Sequence, residues 1–472
     1  MKINHLFIVL LALLLITTTL SARTVIVPSA TFFSIQEAID SLATGDTILV
    51  DAPVLSGFGN RDINFNGKGI AVMAFNPSEP VTIDCQADLG NLHRAFIFES
   101  QEDSLAVLDG FRIINGYADS GGAIYIRRAA PTLRNITFED NTGIRGGAIG
   151  GDLGRPRITN CTFRNNVASF GGAIEGLGKA VVRDCRFTGN QSLSRGSAVA
   201  DVALAEFYDC VFDENFGKGA TFDVAGGSGR LEQCLFARNQ TGAISIVFGE
   251  QSLQIDRCTI YGNAFGIHSI GNTFTTPENT IIAYNRGDAV FCSTTDSITA
   301  RLYYCNVYGN NADYTGCIAD NLGQDGNISE PPLFCDTAAF NFTLDASSPC
   351  VGAGDGGVTM GAYDVGCTPT DVGEDDLSLP GTVQLAQNYP NPFNPTTTIE
   401  FSIPAQAHVS LGVYNTLGRR VAVLLDKTLA AGEYSVAWDG RDHGGESVAS
   451  GMYFYRLHVD GRTHSRKMLL LK

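Results

Sequence analysis

The 472-residue sequence has few basic residues, little histidine and almost no tryptophan. Lysine plus arginine number 32 against 49 aspartates and glutamates, so the net charge is −17, and there are seven histidines and one tryptophan. This balance argues against nucleic acid as a partner, because phosphates attract a basic face, and against anionic membrane surfaces. It suits the binding of cations or neutral glycans. The length predicts two or three domains.

Long apolar runs are missing after the N-terminus. Residues 1–22 combine Lys2, an apolar run from Leu6 to Ile16 and the small residues Ser21 and Ala22, which is the pattern of a cleaved signal peptide. The run is too short to cross a bilayer, although a retained anchor helix is the alternative interpretation. We expect an exported mature chain without a transmembrane segment, at the cell surface or outer membrane or outside the cell.

Long helical patterns are also missing, and a short repeat takes their place. The pattern apolar-x-x-Cys-x-Phe-x-x-Asn recurs in steps of 22 to 25 residues. Its short β-forming runs end at Gly, Asn and Asp, whereas helical repeats need long 3.6-residue periodicity and propeller blades need about 40 residues. The chain is therefore predicted to be all-β, with a parallel β-helix of about 12 coils of about 24 residues each.

Each position of the repeat has a predicted role. Cys and Phe two residues apart point to one face of a strand, and that face is expected to be the interior. Asn is expected to close the strand, because it tolerates left-handed backbone and can hydrogen-bond to the Asn of neighbouring coils. The ladder residues are Cys161, Cys185, Cys210, Cys234, Cys258, Phe163, Phe187, Phe212, Phe236, Asn141, Asn166, Asn190, Asn215, Asn239 and Asn263.

The cysteines divide into two groups. Those of the ladder are interpreted as buried small apolar residues. Disulfides between coils are an open alternative, whereas a metal site is disfavoured because a regular ladder does not converge on one point. In an exported chain the better disulfide candidates are those of the irregular end, which are Cys292, Cys317, Cys335, Cys350 and Cys367.

Residues 24–367 resemble the pectin-lyase-like right-handed parallel β-helix proteins. The segment IQEAIDSLATGDTILV is similar to their first coil, and a helix from Ser34 to Leu42 is predicted to cap it. The GGAI and FxxN runs resemble the repeats of polymorphic outer-membrane proteins, which are surface adhesins. Residues 330–367 resemble the closing segment of secreted β-helix proteins. We expect a β-helix over 23–367, with an N-terminal cap and disulfides in its closing segment.

The remaining chain has a different character. Residues 368–383 form an acidic linker, and the alternating runs of 384–472 predict an Ig-like β-sandwich with Trp438 in its core. This part resembles the C-terminal sorting domain of type IX secretion, which implies contact with an outer-membrane secretion machinery. A plain accessory domain is the alternative. The matching residues include Asn388, Pro390, Pro392, Gly451, Tyr453, Lys467 and Lys472.

A catalytic site is not evident. The outward positions of the Cys-x-Phe strands carry no acidic cluster. A glycosidase needs two carboxyl groups about 5 to 10 Å apart, and Asp184 and Asp209, in successive coils, come closest. Gln233 and Arg257 stand at the same position in later coils, which favours bend chemistry instead. The catalytic residues stay unknown, and no metal or cofactor site is predicted.

Two functions therefore compete. The first is a monomeric adhesin or scaffold that binds a polysaccharide or a cell-surface ligand. The alternative is a polysaccharide lyase or glycoside hydrolase of the pectin-lyase-like class, for which Ca²⁺ is a possible cofactor in the case of a lyase. Fold alone does not decide between them.

Overall fold

A computed structural model describes residues 21–225, 228–247, 252–270, 274–292 and 300–368. It also describes 383–470 except 387, 389–390, 392, 404–406, 416–418, 430–431 and 460–461. The chain divides into two units, Met1–Pro369 and Thr370–Lys472. The all-β prediction of a parallel β-helix followed by an Ig-like domain is confirmed. No helix in the described ranges is long and apolar enough to cross a membrane.

The first unit is a solenoid of four parallel sheets, which we call A, B, C and D. Sheet A contains Thr24–Val27, Thr47–Val50, Ala71–Ala74, Val107–Asp109, Thr132–Arg134, Arg157–Thr159, Val181–Arg183, Glu206–Tyr208, Gly229–Glu232, Ser252–Asp256 and Phe274–Glu278. Sheet B contains Val54–Ser56, Val81–Asp84, Phe111–Ile114, Thr137–Glu139, Thr162–Arg164, Arg186–Thr188, Val211–Asp213, Leu235–Ala237, Thr259–Tyr261, Ile281–Ala283 and Asn306–Tyr308.

Sheets C and D complete each coil. Sheet C contains Ile63–Asn64, Phe96–Phe98, Ile124–Arg127, Ile149–Gly154, Ile174–Leu177, Val199–Ala200, Ala220–Ala225, Gly242–Val247, Ile267–Ile270 and Val290–Cys292. The shorter sheet D contains Tyr117–Ser120, Thr142–Arg145, Val167–Phe170, Gln191–Arg195 and Phe216–Gly217. A coil therefore runs A, B, D, C where sheet D is present.

The interior of the solenoid contains stacked columns of identical residues. Five phenylalanines of sheet B stack with ring centroids 4.5 to 4.7 Å apart and interplanar angles of at most 11°. This spacing is the distance between adjacent strands, because each coil places its phenylalanine in register on the last. The column consists of Phe138, Phe163, Phe187, Phe212 and Phe236.

An asparagine column, buried except at its last member Asn310, follows sheet B. In each coil the carboxamide oxygen accepts from the backbone N–H and the side-chain N–H of the preceding asparagine, as Asn166 does from Asn141 at 3.1 Å in both cases. The column starts at Gly116 N–H and ends on Asp313 Oδ1. It contains Asn141, Asn166, Asn190, Asn215, Asn239, Asn263, Asn285 and Asn310.

The prediction that these asparagines have a left-handed backbone is wrong. The residue before the asparagine has the positive φ instead, as at Asp140 with 55° and Asn165 with 56°. The asparagine itself is needed for its side chain, because it pairs a buried backbone N–H that would otherwise lack a partner. The bend position itself therefore accepts several residue types.

The ladder cysteines are buried free thiols. Each lies near backbone carbonyls, as Cys185 does with Sγ 3.1 Å from the Arg183 oxygen. Burial raises the pKa of the Cys161, Cys210 and Cys258 thiols. No disulfide joins them.

Two disulfides lie in the last part of the solenoid, Cys292–Cys317 and Cys335–Cys367. The expectation for Cys350 is wrong, because it is a buried free thiol. The cysteines before and after it in the sequence, Cys335 and Cys367, are joined to each other, and the sulfur of Cys350 accepts from Asn306 Nδ2 at 3.0 Å.

Short elements occupy the two ends of the solenoid. The helix Ile35–Ser41 begins at Ser34, whose hydroxyl accepts from Glu37 N–H, and it buries Ile35, Ala38 and Ile39. At the other end are the 3-10 helices Gly316–Asn321 and Asp355–Gly357. The closing segment adds Phe334–Asp336, Asn341–Asp345 and Val365–Cys367.

The second unit is a β-sandwich of two antiparallel sheets. One sheet contains Gln384–Leu385, Thr397–Ile403 and Gly432–Trp438, and the other Ala407–Asn415, Arg420–Leu429, Gly451–Val459 and Arg462–Leu470. Trp438 is buried and donates from Nε1 to the Arg441 carbonyl at 2.8 Å.

The proposed sorting residues have separate environments. Asn388 is buried, and its N–H donates to the Tyr455 hydroxyl at 2.8 Å. Tyr453 donates to the Ala449 carbonyl at 2.8 Å. Lys467 is exposed and pairs in register with Phe454, whereas Gly451 opens its strand. Pro390, Pro392 and Lys472 lie outside the described residues, as do 1–20 of the predicted signal peptide and 369–382 of the predicted linker.

Candidate functional site beneath the closing loop

The closing segment divides the outer face of sheet B into an open and a covered part. In the open part, Arg112, Arg164 and Arg186 are exposed by 36%, 46% and 44% of their side chains. In the covered part, Leu235 and Ala237 pack against Phe342 and Ala362. The outward positions at Thr259 and Asn306 are likewise buried. A ligand that contacts sheet B therefore has access only to its earlier coils.

Hydrogen bonds hold the closing segment in place. Ala362 N–H donates to the Thr259 hydroxyl at 2.9 Å, across 103 residues of sequence. Asn279 binds the segment twice, because its side-chain oxygen accepts from Asp355 N–H and its carbonyl accepts from Gly361 N–H. Phe340 lies at the edge of the covered part, with the guanidinium of Arg186 4.7 Å from its ring centre. The loop over 357–364, which we call the closing loop, is thus fixed beside the solenoid.

A cavity of about 540 Å³ lies between this loop and the bend that joins sheets A and B. Its solenoid wall consists of Asp209, Gln233 and Arg257. The opposite wall is formed by Gly357, Val358, Thr359, Gly361, Ala362, Tyr363 and Asp364. The volume is within the range of small-molecule sites.

The three wall residues come together because they occupy the same bend in successive coils. Asp209, Gln233 and Arg257 have φ values of 54°, 53° and 47°, and each precedes a buried ladder cysteine. Stacked coils set such positions about 4.8 Å apart. A carboxylate, a carboxamide and a guanidinium therefore form one row. The prediction that these residues form bends accounts for their backbone conformation. Their side chains have a second role, because they line the cavity.

The charges of the row are set by their neighbours. Burial raises the pKa of Asp209, and the nearby carboxylate of Asp184 raises it further. Arg257 is held by an ion pair with Glu232 and lies 3.8 Å from Asp256. Together with Gln233, the row offers acceptors at one end and charged donors at the other. This arrangement can hydrogen-bond to a ligand that carries several hydroxyl groups.

Other titratable candidates are scattered. His93 hydrogen-bonds to Asp62 at 2.5 Å, whereas His268 stacks on Phe265 with ring centres 3.5 Å apart, and burial lowers its pKa. Asp184, one coil before Asp209, is absent from the cavity lining. Within the described ranges, no group of three or more His, Cys, Asp or Glu side chains could hold a metal ion.

Sequence reasoning identified the bend row but missed the loop that faces it. The contact joins residues about a hundred positions apart, and no repeat spacing encodes it. The sequence feature that indicates this loop is the run GDGGVTMGAYD, because its glycines interrupt the repeat. Gly361 has φ of 96°, and a Cβ there would lie 2.8 Å from Ile281 and 2.9 Å from Thr259, so this close approach favours glycine.

Comparisons with known proteins match two regions. The family described as "Right handed beta helix region" matches residues 91–227, and the family "FlgD Ig-like domain" matches 391–463. A search of curated proteins finds no match.

Solved structures give matches of low similarity. Dimeric latent PorU and PorZ of Porphyromonas gingivalis, the latter described as a surface component of the type-IX secretion system, are 21% and 24% identical. They match 19% and 21% of this chain with TM-scores of 0.17 and 0.15, and the chain spans only 9% and 13% of their lengths. The gp42 tailspike of Acinetobacter phage vb_AbaP_AS12 is 10% identical, with 95% of this chain and 82% of the tailspike covered and a TM-score of 0.35.

Proposed function

We propose that this chain is an exported β-helix protein that binds a polysaccharide or a comparable cell-surface ligand, and that the cavity beneath the closing loop is its binding site. The observation that carries the proposal is the row of Asp209, Gln233 and Arg257 along one wall of that cavity. Sugar hydroxyls both donate and accept, so a row of mixed polarity can bind several of them at once.

We also propose that the C-terminal domain is a sorting domain that delivers the protein through a type IX-like secretion machinery. The N-terminal signal pattern and the two disulfides support export, because disulfides persist in oxidising compartments. The motif residues around Asn388 and Tyr453 support the sorting role. The proposed boundaries are 1–22, 23–367, 368–383 and 384–472, and the proposed secreted form is a monomer at the cell surface or outside the cell.

Cleavage of the bound polysaccharide by a lyase or hydrolase is the second candidate function. Asp209 and Asp364 both line the cavity, and a carboxyl group with a raised pKa can act as a general acid. The two functions differ in their products, since binding alone leaves the polymer intact.

The test is a screen of the full chain against plant, algal and bacterial polysaccharides, with and without Ca²⁺. Retention on an immobilised glycan, new reducing ends and unsaturated products are measured together. We expect retention without new ends. New ends would replace the binding function by hydrolysis or, with unsaturated products, by a lyase reaction. Absence of all three signals would contradict glycan binding.

A substitution in the cavity localises the binding. Arg257→Gln removes a donor pair but keeps a residue that the same bend accepts in the preceding coil, at Gln233. We expect about tenfold weaker retention, because hydrogen bonds to charged groups contribute about 1.5 to 3 kcal/mol. Arg301→Gln is the control, since Arg301 pairs with Asp325 and is absent from the cavity lining. Equal losses in the two variants would exclude the cavity as the site.

A further inference from the structure

A second group of charged residues lies on the outside of sheet C, where sheet D meets it. Glu175 and Asp223 occupy the same outward position two coils apart, with Ala200 in register between them. The two backbones are therefore about 10 Å apart. Asp201 follows Ala200, and Arg145 and Arg195 reach the group from sheet D. These five side chains, which we call the sheet C cluster, are remote in sequence from the closing loop.

The carboxylates lie beneath the arginines. The Glu175 and Asp223 side chains are exposed by only 1% and 5%, whereas Arg145 and Arg195 are exposed by 57% and 31%. Three carboxylates face two guanidinium groups, so the cluster is short of positive charge. Burial raises the pKa of Glu175, and it raises that of Asp223 to about 6, against the attraction of the arginines.

The hydrogen bonds of the cluster are incomplete. Arg145 donates both Nε and Nη2 to Oε1 of Glu175, at 2.9 and 2.6 Å, and so leaves Oε2 without a partner. Arg195 donates to Asp201, while its Nε stays 3.9 Å from Asp223 Oδ1. Of four buried side-chain polar atoms without a hydrogen bond in the described residues, three belong to this cluster. Such atoms cost free energy unless a ligand or water pairs them.

The unpaired atoms define the ligand that would complete them. Two are carboxylate oxygens, which require donors, and a protonated primary amine supplies three. The third is the Nε–H of Arg195, which requires an acceptor close to that amine. A hydroxyl group on the neighbouring carbon of an amino sugar provides one, whereas the carbon chain of a lysine ammonium does not. A cationic ligand would also balance the excess negative charge of the cluster.

We propose that the sheet C cluster binds the protonated amine of a deacetylated amino sugar. The ammonium takes a position between Glu175 and Asp223 and donates to Oε2 and Oδ1, and the adjacent hydroxyl accepts from Arg195. Arg145, the most exposed member, moves aside into solvent to admit the ligand. The site is separate from the cavity beneath the closing loop and does not depend on it.

The test is binding of a glucosamine hexamer and of its fully N-acetylated counterpart to the full chain at pH 7, by calorimetry. The acetylated hexamer has the same backbone without the charge, so we expect it to bind at least about tenfold more weakly. We expect Asp223→Asn and Glu175→Gln each to weaken glucosamine binding about tenfold. Asp223 Oδ1 makes no hydrogen bond in the described residues and lies 3.9 Å from Arg195 Nε, so we expect the substitution to keep the local structure.

Two control variants separate this site from the general attraction of a polycation to an acidic chain. Glu139→Gln and Asp213→Asn remove the same charge from buried carboxylates of sheet B that are paired with arginines. We expect their affinities to stay within about twofold of the unaltered chain. If all four variants weaken binding equally, or if none does, the proposal is wrong.

The pH dependence gives an independent readout. Lowering the pH from 7 to 5 protonates Asp223, so binding should weaken although the amine of the ligand becomes more fully charged. Stronger binding at pH 5 would contradict the proposal. Equal binding of a lysine hexapeptide, with the same sensitivity to Asp223→Asn, would show that an amine alone is recognised and would overturn the assignment to an amino sugar. Undetectable glucosamine binding would overturn it entirely, whatever the outcome of the cavity test.

Discussion

Two groups of buried carboxylates and arginines differ in how completely they are paired. On sheet B, Glu139 binds Arg112 through Oε2 and Arg164 through Oε1, with nitrogen–oxygen distances of 2.5 and 2.7 Å. On sheet C, Glu175 has a single arginine on one oxygen, and Asp223 has none within hydrogen-bond distance. The same residue types therefore form a closed ion pair in one place and an incomplete one in the other.

The difference shows in the pKa directions. The two arginines of sheet B hold the pKa of Glu139 below its usual value despite burial. Burial prevails on sheet C and raises the pKa values of Glu175 and Asp223. We infer that the sheet B group stabilises neighbouring coils and that the underpaired carboxylates of the sheet C cluster reduce stability. This inference can be tested by stability measurements that need no ligand.

The largest expected effect is the loss of the complete group. Glu139→Ala leaves Arg112 and Arg164 without their shared carboxylate and should lower the unfolding free energy by about 3 kcal/mol. This value is the lower end of the stability loss expected when a buried ion pair is broken, because both arginines are partly exposed. Denaturant unfolding at pH 7 measures it. A change below about 0.5 kcal/mol would remove the distinction between the two groups.

The next largest effect concerns the pH dependence of stability, which should have opposite signs for Asp223 and Glu139. Asp223 has a folded pKa of about 6 against 3.8 unfolded, so its contribution to stability is present at low pH and is lost as the pH rises through about 6. Relative to Asp223→Asn, the unaltered chain should lose about 2 kcal/mol between pH 4 and pH 7. The Glu139 contribution should instead be lost as the pH falls below its unfolded value of 4.5. Unfolding curves of both variants from about pH 2 to pH 7 check the signs, since the Glu139 window lies below pH 4.5.

The smallest effect is a gain in stability. At pH 7 Asp223 is ionised, buried and underpaired, so Asp223→Asn should raise the unfolding free energy by about 1 kcal/mol. Asp213→Asn is the matched control, because Asp213 is buried but bonded to Arg186 and Thr188 at 2.7 and 2.6 Å, and its substitution should destabilise. Destabilisation by both variants would indicate that the sheet C cluster is an ordinary structural ion pair.

Much of the solenoid could be predicted because its contacts repeat at one spacing. Asn166 hydrogen-bonds to Asn141 and Asn190, which lie one repeat before and one repeat after it in the sequence, and alternation alone assigns Phe163 to the interior. The repeat pattern predicts the left-handed residue one position too late, at the asparagine itself. Residue type could not locate it, because Asp140, Asn165, Gly189 and Glu214 all adopt that conformation.

The cavity and the sheet C cluster differ in how far the sequence could predict them. The cavity depends on a loop that returns over coils about a hundred residues earlier, as at Ala362 and Thr259. The sheet C cluster was within reach, because Glu175 follows the GGAI run directly and Asp223 aligns with it two coils later. Carboxylate pairs are expected on the Cys-x-Phe strands and their bends, whereas this pair lies on the strand after the glycines.

The most direct test of glycan binding compares Asp209→Asn with Asp184→Asn on the polysaccharides that retain the unaltered chain. Both residues have left-handed backbone, with φ of 54° and 53°, and both precede a ladder cysteine, but only Asp209 lines the cavity. We expect Asp209→Asn to weaken retention about fivefold and Asp184→Asn to leave it unchanged. Equal retention by the two variants and the unaltered chain would contradict binding at the cavity beneath the closing loop.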